Sequence, residues 1–155
     1  SPSEAACFDS HVNLWKHLYD TNALPALIFE DDIVITPGTS IPDILDAVRN
    51  SGGFDIFFLG YTYPDIDPFD DDLSRIGTTD GAHAYIINRE TVAKLLPLVR
   101  EKNTPIDAIM KKYCSNNLCF LSHHKPAENT QCSGLIHQDL GLTSDLLDER
   151  RNRRK

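Results

Sequence analysis

Apolar residues Phe8, Val12, Trp15 and Leu18/Tyr19 recur at helical spacing, with Ser3 placed to cap them, so the pattern predicts an amphipathic helix over residues 4–20. Asn22–Pro25 breaks the run, and Ala26-Leu27-Ile28-Phe29 follows as a continuous apolar stretch, the signature of a strand buried on both faces. That stretch stops at Glu30-Asp31-Asp32 and resumes as Ile33-Val34-Ile35 before the turn Thr36-Pro37-Gly38. Ser40 and Pro42 open a second predicted helix carrying Ile44, Leu45 and Val48, which stops at Gly52-Gly53.

A second buried strand is predicted over 54–59, and residues 61–76, rich in acids and holding two prolines, are predicted to form a long acidic loop. A third strand is expected over 83–87, followed by a helix that Asn88 caps, that buries Val92, Leu95 and Leu96, and that Pro97 ends or kinks. Thr104-Pro105 opens another helix through about Tyr113, residues 118–121 form a fourth strand, and 123–142 is polar and irregular. Alternating helices and short buried strands predict an α/β domain whose sheet is mainly parallel, with helices on both faces. A single domain is expected over 1–147, with a basic tail over 148–155. Ligands of such sheets lie beyond the carboxyl ends of strands, which directs attention to Glu30-Asp31-Asp32.

Charge narrows the function classes. Of 155 residues, 23 are acidic and 15 basic, but five basic residues (Arg150, Arg151, Arg153, Arg154, Lys155) occupy the last six positions. Residues 1–149 therefore hold ten basic against 23 acidic groups, a balance of −13. Such a body repels a phosphate backbone unless metal ions intervene, which argues against nucleic acid as a partner. The basic tail is either solvated or a peripheral contact to an anionic membrane surface. No apolar stretch reaches the roughly 18 to 20 residues that span a bilayer. Ser1-Pro2-Ser3-Glu4 shows no leader pattern and no initiator Met, so the expectation is a cytoplasmic chain, or one processed or cut from something longer whose removed signal led to a secretory lumen. Cys7, Cys114, Cys119 and Cys132 do not make a disulfide-dense scaffold, and their spacing with His123 and His124 fits none of the common closed zinc sites. Cys119, inside an apolar run, reads as a buried strand residue.

Three acids after a buried strand need solvent, hydrogen bonds or a cation. Alternate side chains of an extended segment point the same way, so Glu30 and Asp32 are candidates to converge on one Mg²⁺ or Mn²⁺ while Asp31 faces elsewhere, with substrate phosphates completing the shell. The competing reading is a polar strand end whose acids cap the next element. The run Asp65–Asp72 resembles a calcium loop but has Asp70 where the turn glycine belongs and Ile76 where the bidentate Glu belongs, so it reads as a solvated loop or lid. His137 and Asp139 alternate toward a common side and are candidate further ligands, set against a plain polar loop. No serine-hydrolase elbow, Walker loop or dinucleotide fingerprint occurs.

Together these segments resemble glycosyltransferase family 25. Ala6-Cys7-Phe8-Asp9-Ser10-His11-Val12-Asn13-Leu14-Trp15 is similar to its G-C-x-x-S-H-x-x-x-W helix, and Ala26–Ile33 to its apolar strand with an E-D-D motif. Phe54–Gly60 resembles its W-D-hydrophobic-G strand, Gly81–Asn88 its G-x-x-A-Y-x-I-S strand, Pro105-Ile106-Asp107 its P-hydrophobic-D helix start, and Asp139-Leu140-Gly141 with Ser144-Asp145 its D-x-G…S-D ending. The resemblance implies a GT-A-like fold and transfer of a sugar, often galactose, from a UDP-sugar donor to a hydroxyl on a glycan or protein acceptor. It implies Mn²⁺ (or Mg²⁺) at Glu30-Asp31-Asp32, with His137 and Asp139 as further metal or phosphate contacts. Asp107 is then the candidate catalytic base and Asp80 its rival, while Ser10 and His11 position the nucleotide loop. Full-length members carry a first strand ahead of the G-C-x-x-S-H helix, and this chain starts at that helix. The expectation is thus a domain truncated at its N-terminus, completed by a missing segment or a partner chain. A non-catalytic transferase-like binding module and a metal-dependent phosphoesterase are the alternatives.

Overall fold

A computed structural model describes residues 2–36, 38–50, 53–68, 73–100, 104–122, 132–134 and 136–138. Helix α1 (Pro2–Asp20) leads into β1 (Ala26–Phe29), β2 (Ile33–Ile35) and α2 (Ile41–Asn50). Strands β3 (Ile56–Pro68) and β4 (Leu73–Ile87) follow, then α3 (Arg89–Leu95), a 3-10 turn (Leu98–Arg100) and α4 (Ile106–Cys114). Three short strands complete the described chain: β5 (Cys119–Ser122), β6 (Cys132–Gly134) and β7 (Ile136–Gln138). The α/β class is as expected and most predicted elements fall where the pattern put them, but β1 is an edge strand and not buried on both faces, since Leu27 and Phe29 are exposed. No helix among the described residues is long and apolar enough to cross a membrane.

The sheet corrects the expected topology. Among the described residues β3 and β5 pair in parallel, whereas β1–β4, β3–β4, β3–β6, β4–β5 and β2–β7 are antiparallel. A mainly parallel sheet is not what forms. The physical reason lies in residues 61–76, expected to be a loop: β3 continues to Pro68 and β4 begins at Leu73, so the segment is a long antiparallel ribbon. Tyr61, Thr62, Tyr63 and Ile66 on one strand, with Ile76, Thr78 and Thr79 on the other, supply the β-branched and aromatic residues that suit strands. Pro64 falls in the register shift between Thr62 and Asp65, and Pro68 is the last strand residue, so neither interrupts a regular ladder. Residues 69–72 of the acidic run, and those from 139 onward including the basic tail, lie outside the described set.

Strand periodicity divides the core into two layers. Ile56, Phe58, Tyr85 and Ile87 face Phe8, Val12 and Trp15 of α1, Val92 and Leu95 of α3, and Met110 of α4. The intervening Phe57, Leu59, Ala84 and Ile86 face Ile44 of α2 and Ile136 of β7. Burial on both faces explains why 56–59 reads as an unbroken apolar run.

Two polar side chains join the layers. Asn88 caps α3 by accepting from the Thr91 N–H at 2.8 Å, and its amide donates to the Phe54 carbonyl. Asp55 accepts from Tyr113 Oη (3.0 Å), Thr91 Oγ1 (3.2 Å) and the Leu118 N–H (3.1 Å), tying the start of β3 to α3, α4 and the approach to β5. A disulfide joins Cys114, the last residue of α4, to Cys119, the first of β5. Cys119 is the buried strand residue expected from its surroundings, and the pairing adds a covalent link that the spacing alone did not reveal.

Candidate functional site

Cys7, His11 and Trp15 are spaced four residues apart on α1, so they form one stripe along the helix. That stripe meets the carboxyl ends of β1 and β4. Trp15 Nε1 donates to Tyr85 Oη at 2.9 Å, and His11 Nδ1 lies 2.7 Å from the same oxygen, with the His11 and Tyr85 rings stacked at 5.7 Å. His11 Nε2 is 3.3 Å from Glu30 Oε1, and the Cys7 thiol donates to that oxygen at 3.6 Å. One arrangement satisfies every donor: the Tyr85 hydroxyl donates to His11 Nδ1, and His11 Nε2–H donates to Glu30. Glu30 itself is fixed at the strand end, its N–H donating to the His83 carbonyl at 2.9 Å.

The electrostatics follow from this packing. Burial works against ionisation of Glu30, but the hydrogen bond and charge of His11, the charge of His83 and the Cys7 thiol outweigh it, and its pKa is lowered. The Cys7 thiol is pushed up to about 12, first by burial and then by Glu30, with Asp107 and Asp32 adding to the effect. Burial likewise raises Tyr85. Glu30, Asp32 and Asp107 therefore all act on one thiol, which marks this end of the sheet as a region of negative potential.

The expected site residues fall as follows. Glu30 and Asp32 are partly buried and Asp31 is exposed, as the alternation anticipated, although Asp31 and Asp32 form a turn between β1 and β2 rather than an extended segment. Asp107 stands in the first turn of α4, where Oδ1 accepts from the Ala108 N–H (2.8 Å) and Oδ2 from the Gly81 N–H (3.4 Å). Asp80, next to Gly81 on β4, is ion-paired with Lys111 at 3.3 Å. Ser10 is exposed and donates back to the Ala6 carbonyl on its own helix, whereas His11 is buried in the network above. β7 pairs with β2, placing the His137 backbone opposite Val34 and Gln138 opposite Ile33, the residue after Asp32. Asp139 lies outside the described residues.

Sequence reasoning missed two members. Cys7 stands one helical turn before His11, a spacing that already placed it on the same stripe. Tyr85 was read only as part of a strand motif, and its hydroxyl became informative once β4 was seen to lie under α1. Among the described residues, Cys7, His11 and Glu30 bring one sulfur, one nitrogen and one oxygen within 4.8 Å of one another.

An α/β domain with an acidic turn at a strand end, braced by a Cys-His-Trp helix stripe, is the class that fold and site define. Within it, residues 1–63 match the family model of glycosyltransferase family 25 (LPS biosynthesis protein). The match spans α1, the Glu30-Asp31-Asp32 turn and the first part of β3, and over that stretch it bears out the resemblance carried by the motifs. It supports a glycosyltransferase role, which in general implies a nucleotide-sugar donor and a glycan acceptor. No curated protein matches the chain.

Proposed function

We propose that this chain carries the donor-binding end of a metal-dependent glycosyltransferase, which moves a sugar, galactose in the first instance, from a UDP-sugar to a hydroxyl on a glycan or protein. The observation that supports it is the pair of partly buried acids Glu30 and Asp32 at the carboxyl end of β1, within the stretch that the family match covers. This negative potential suits a cation, and Glu30 and Asp32 are the oxygen ligands that would hold Mn²⁺ or Mg²⁺. Such an ion, when bound, supplies charge to the diphosphate of the donor as UDP leaves. Asp107 takes the acceptor hydroxyl's proton in an inverting transfer. Asp80, ion-paired with Lys111, is the rival base. His11 acts through Glu30, holding that carboxylate in position, and His137 and Asp139 remain proposed further contacts to metal or phosphate.

The Cys114–Cys119 disulfide supports an oxidising compartment over the cytoplasmic one expected from the sequence. The test is UDP release from UDP-galactose with Mn²⁺ and a hydroxyl acceptor, comparing the chain with Asp32→Asn. Saturable donor binding without turnover would instead favour a binding module, and inorganic phosphate from simple phosphoesters would favour a phosphoesterase.

A further inference from the structure

We infer that Cys7, His11 and Glu30 form a binding site for a thiophilic divalent cation, zinc in the first instance, that clamps α1 to the end of β1. The site shares Glu30 with the proposed oxygen-ligated Mn²⁺ site but adds a sulfur and a nitrogen donor and needs no nucleotide, so its cation binding can be read separately from sugar transfer.

Geometry carries the inference. Zinc takes thiolate at about 2.3 Å and imidazole or carboxylate at about 2.0–2.1 Å, so a tetrahedral ion sets neighbouring nitrogen and oxygen ligands about 3.3 Å apart, and sulfur and oxygen ligands about 3.6 Å apart. His11 Nε2 lies 3.3 Å from Glu30 Oε1, and Cys7 Sγ lies 3.6 Å from it. The three ligand atoms all fall within 4.8 Å of one another. The two edges that meet at Glu30 match those of a zinc tetrahedron.

The surroundings fit as well. A ligating histidine ordinarily donates its other ring N–H to an oxygen, which fixes its orientation. Tyr85 Oη, 2.7 Å from His11 Nδ1, is placed to accept that bond when Nε2 turns to the metal. A sulfur, nitrogen and oxygen donor set favours zinc over the hard cations that oxygen ligands select. The Glu30 side chain is 23% exposed, which leaves an ion a route in while His11, at 6%, anchors the floor. Three protein ligands leave a fourth position for water, as in zinc sites that are not closed.

Cobalt(II) titration of the chelator-stripped full chain, with its disulfide oxidised and no nucleotide present, tests the site directly. The expected result is a saturable thiolate-to-cobalt charge-transfer band at one equivalent, displaced by zinc and not by manganese. Cys7→Ser should lose the band while keeping its far-ultraviolet circular dichroism. Tyr85→Phe should keep the band with zinc affinity weakened roughly 10–100-fold. In the unsubstituted chain, zinc should also protect Cys7 from alkylation, which keeps the inference testable if Cys7→Ser fails to fold. Absence of a saturable band, a band that survives Cys7→Ser, or alkylation of Cys7 unaffected by zinc would each overturn the site.

Discussion

His11 Nδ1 and Tyr85 Oη stand 2.7 Å apart in the buried seam between the first helix and the long β4 strand, with Trp15 Nε1 donating to the same phenolic oxygen. The pair couples the helix to the sheet and, through His11 Nε2, orients Glu30. Tyr85→Phe keeps the ring and removes the oxygen, stranding the Trp15 N–H and one ring nitrogen in a core where Trp15 and Tyr85 are fully buried. A buried polar group left unpaired costs about 1–3 kcal/mol, so urea unfolding of this variant should show a loss in that range.

Asp55 ties the start of β3 to α3 through Thr91 and Lys94, to α4 through Tyr113 and to the approach to β5 through the Leu118 N–H. Burial opposes its ionisation, but those hydrogen bonds and the Lys94 charge prevail, and its pKa is lowered. A depressed folded-state pKa contributes stability above the unfolded value, near pH 4, and that contribution is lost as pH falls through the folded value. Asp55→Asn should therefore be destabilised by roughly 1.5–3 kcal/mol at neutral pH. Its stability should also depend less on pH in the acid range than the parent's, as measured by denaturant titrations from neutrality downward.

Gly60 lies close to its neighbours in the sheet: a Cβ there would overlap the His83 ring and the Ile136 carbonyl oxygen. One of the two obstacles is backbone, so a rotamer change cannot relieve it. Gly60→Ala should cost about 1–3 kcal/mol as overpacking, read as a lowered thermal midpoint.

The disulfide predicts a labelling pattern. Alkylation of the unfolded, unreduced chain should modify Cys7 and spare Cys114 and Cys119, which change only after reduction. Closing so short a loop contributes about 2 kcal/mol on the chain-entropy account, so reduction should lower stability by that order.

Much of this architecture is legible in local pattern. The helix stripe of Phe8, Val12 and Trp15, the doubly buried run 56–59 and the Asn88 cap are written in periodicity and side-chain chemistry, and all three form as read. Residues 61–76 are different. Their acids and prolines look like a loop, yet pairing between Thr62–Ile66 and Ile76–Asp80 makes a ribbon, because cross-strand partners and bulges decide a strand where local propensity is mixed. That one segment also sets β4 antiparallel to β3. At the site, the acidic turn was visible because charge after an apolar strand is costly. The clasp of Cys7 and His11 on Glu30 was not, since it depends on two segments 19 to 23 residues apart meeting across a helix–sheet seam. Cys114 and Cys119 were likewise near in sequence, but only the helix-to-strand corner aims them at each other.

The most direct measurement of the central proposal is Mn²⁺-dependent UDP release from UDP-galactose by the full chain and by Asp32→Asn, with folding of both verified by circular dichroism. Turnover should require the metal, and the variant should fall by at least about 100-fold, since replacing a metal ligand exceeds the 10–100-fold cost typical of its supporting residues. Turnover that persists unchanged in Asp32→Asn, or that proceeds equally well in chelator, would contradict it.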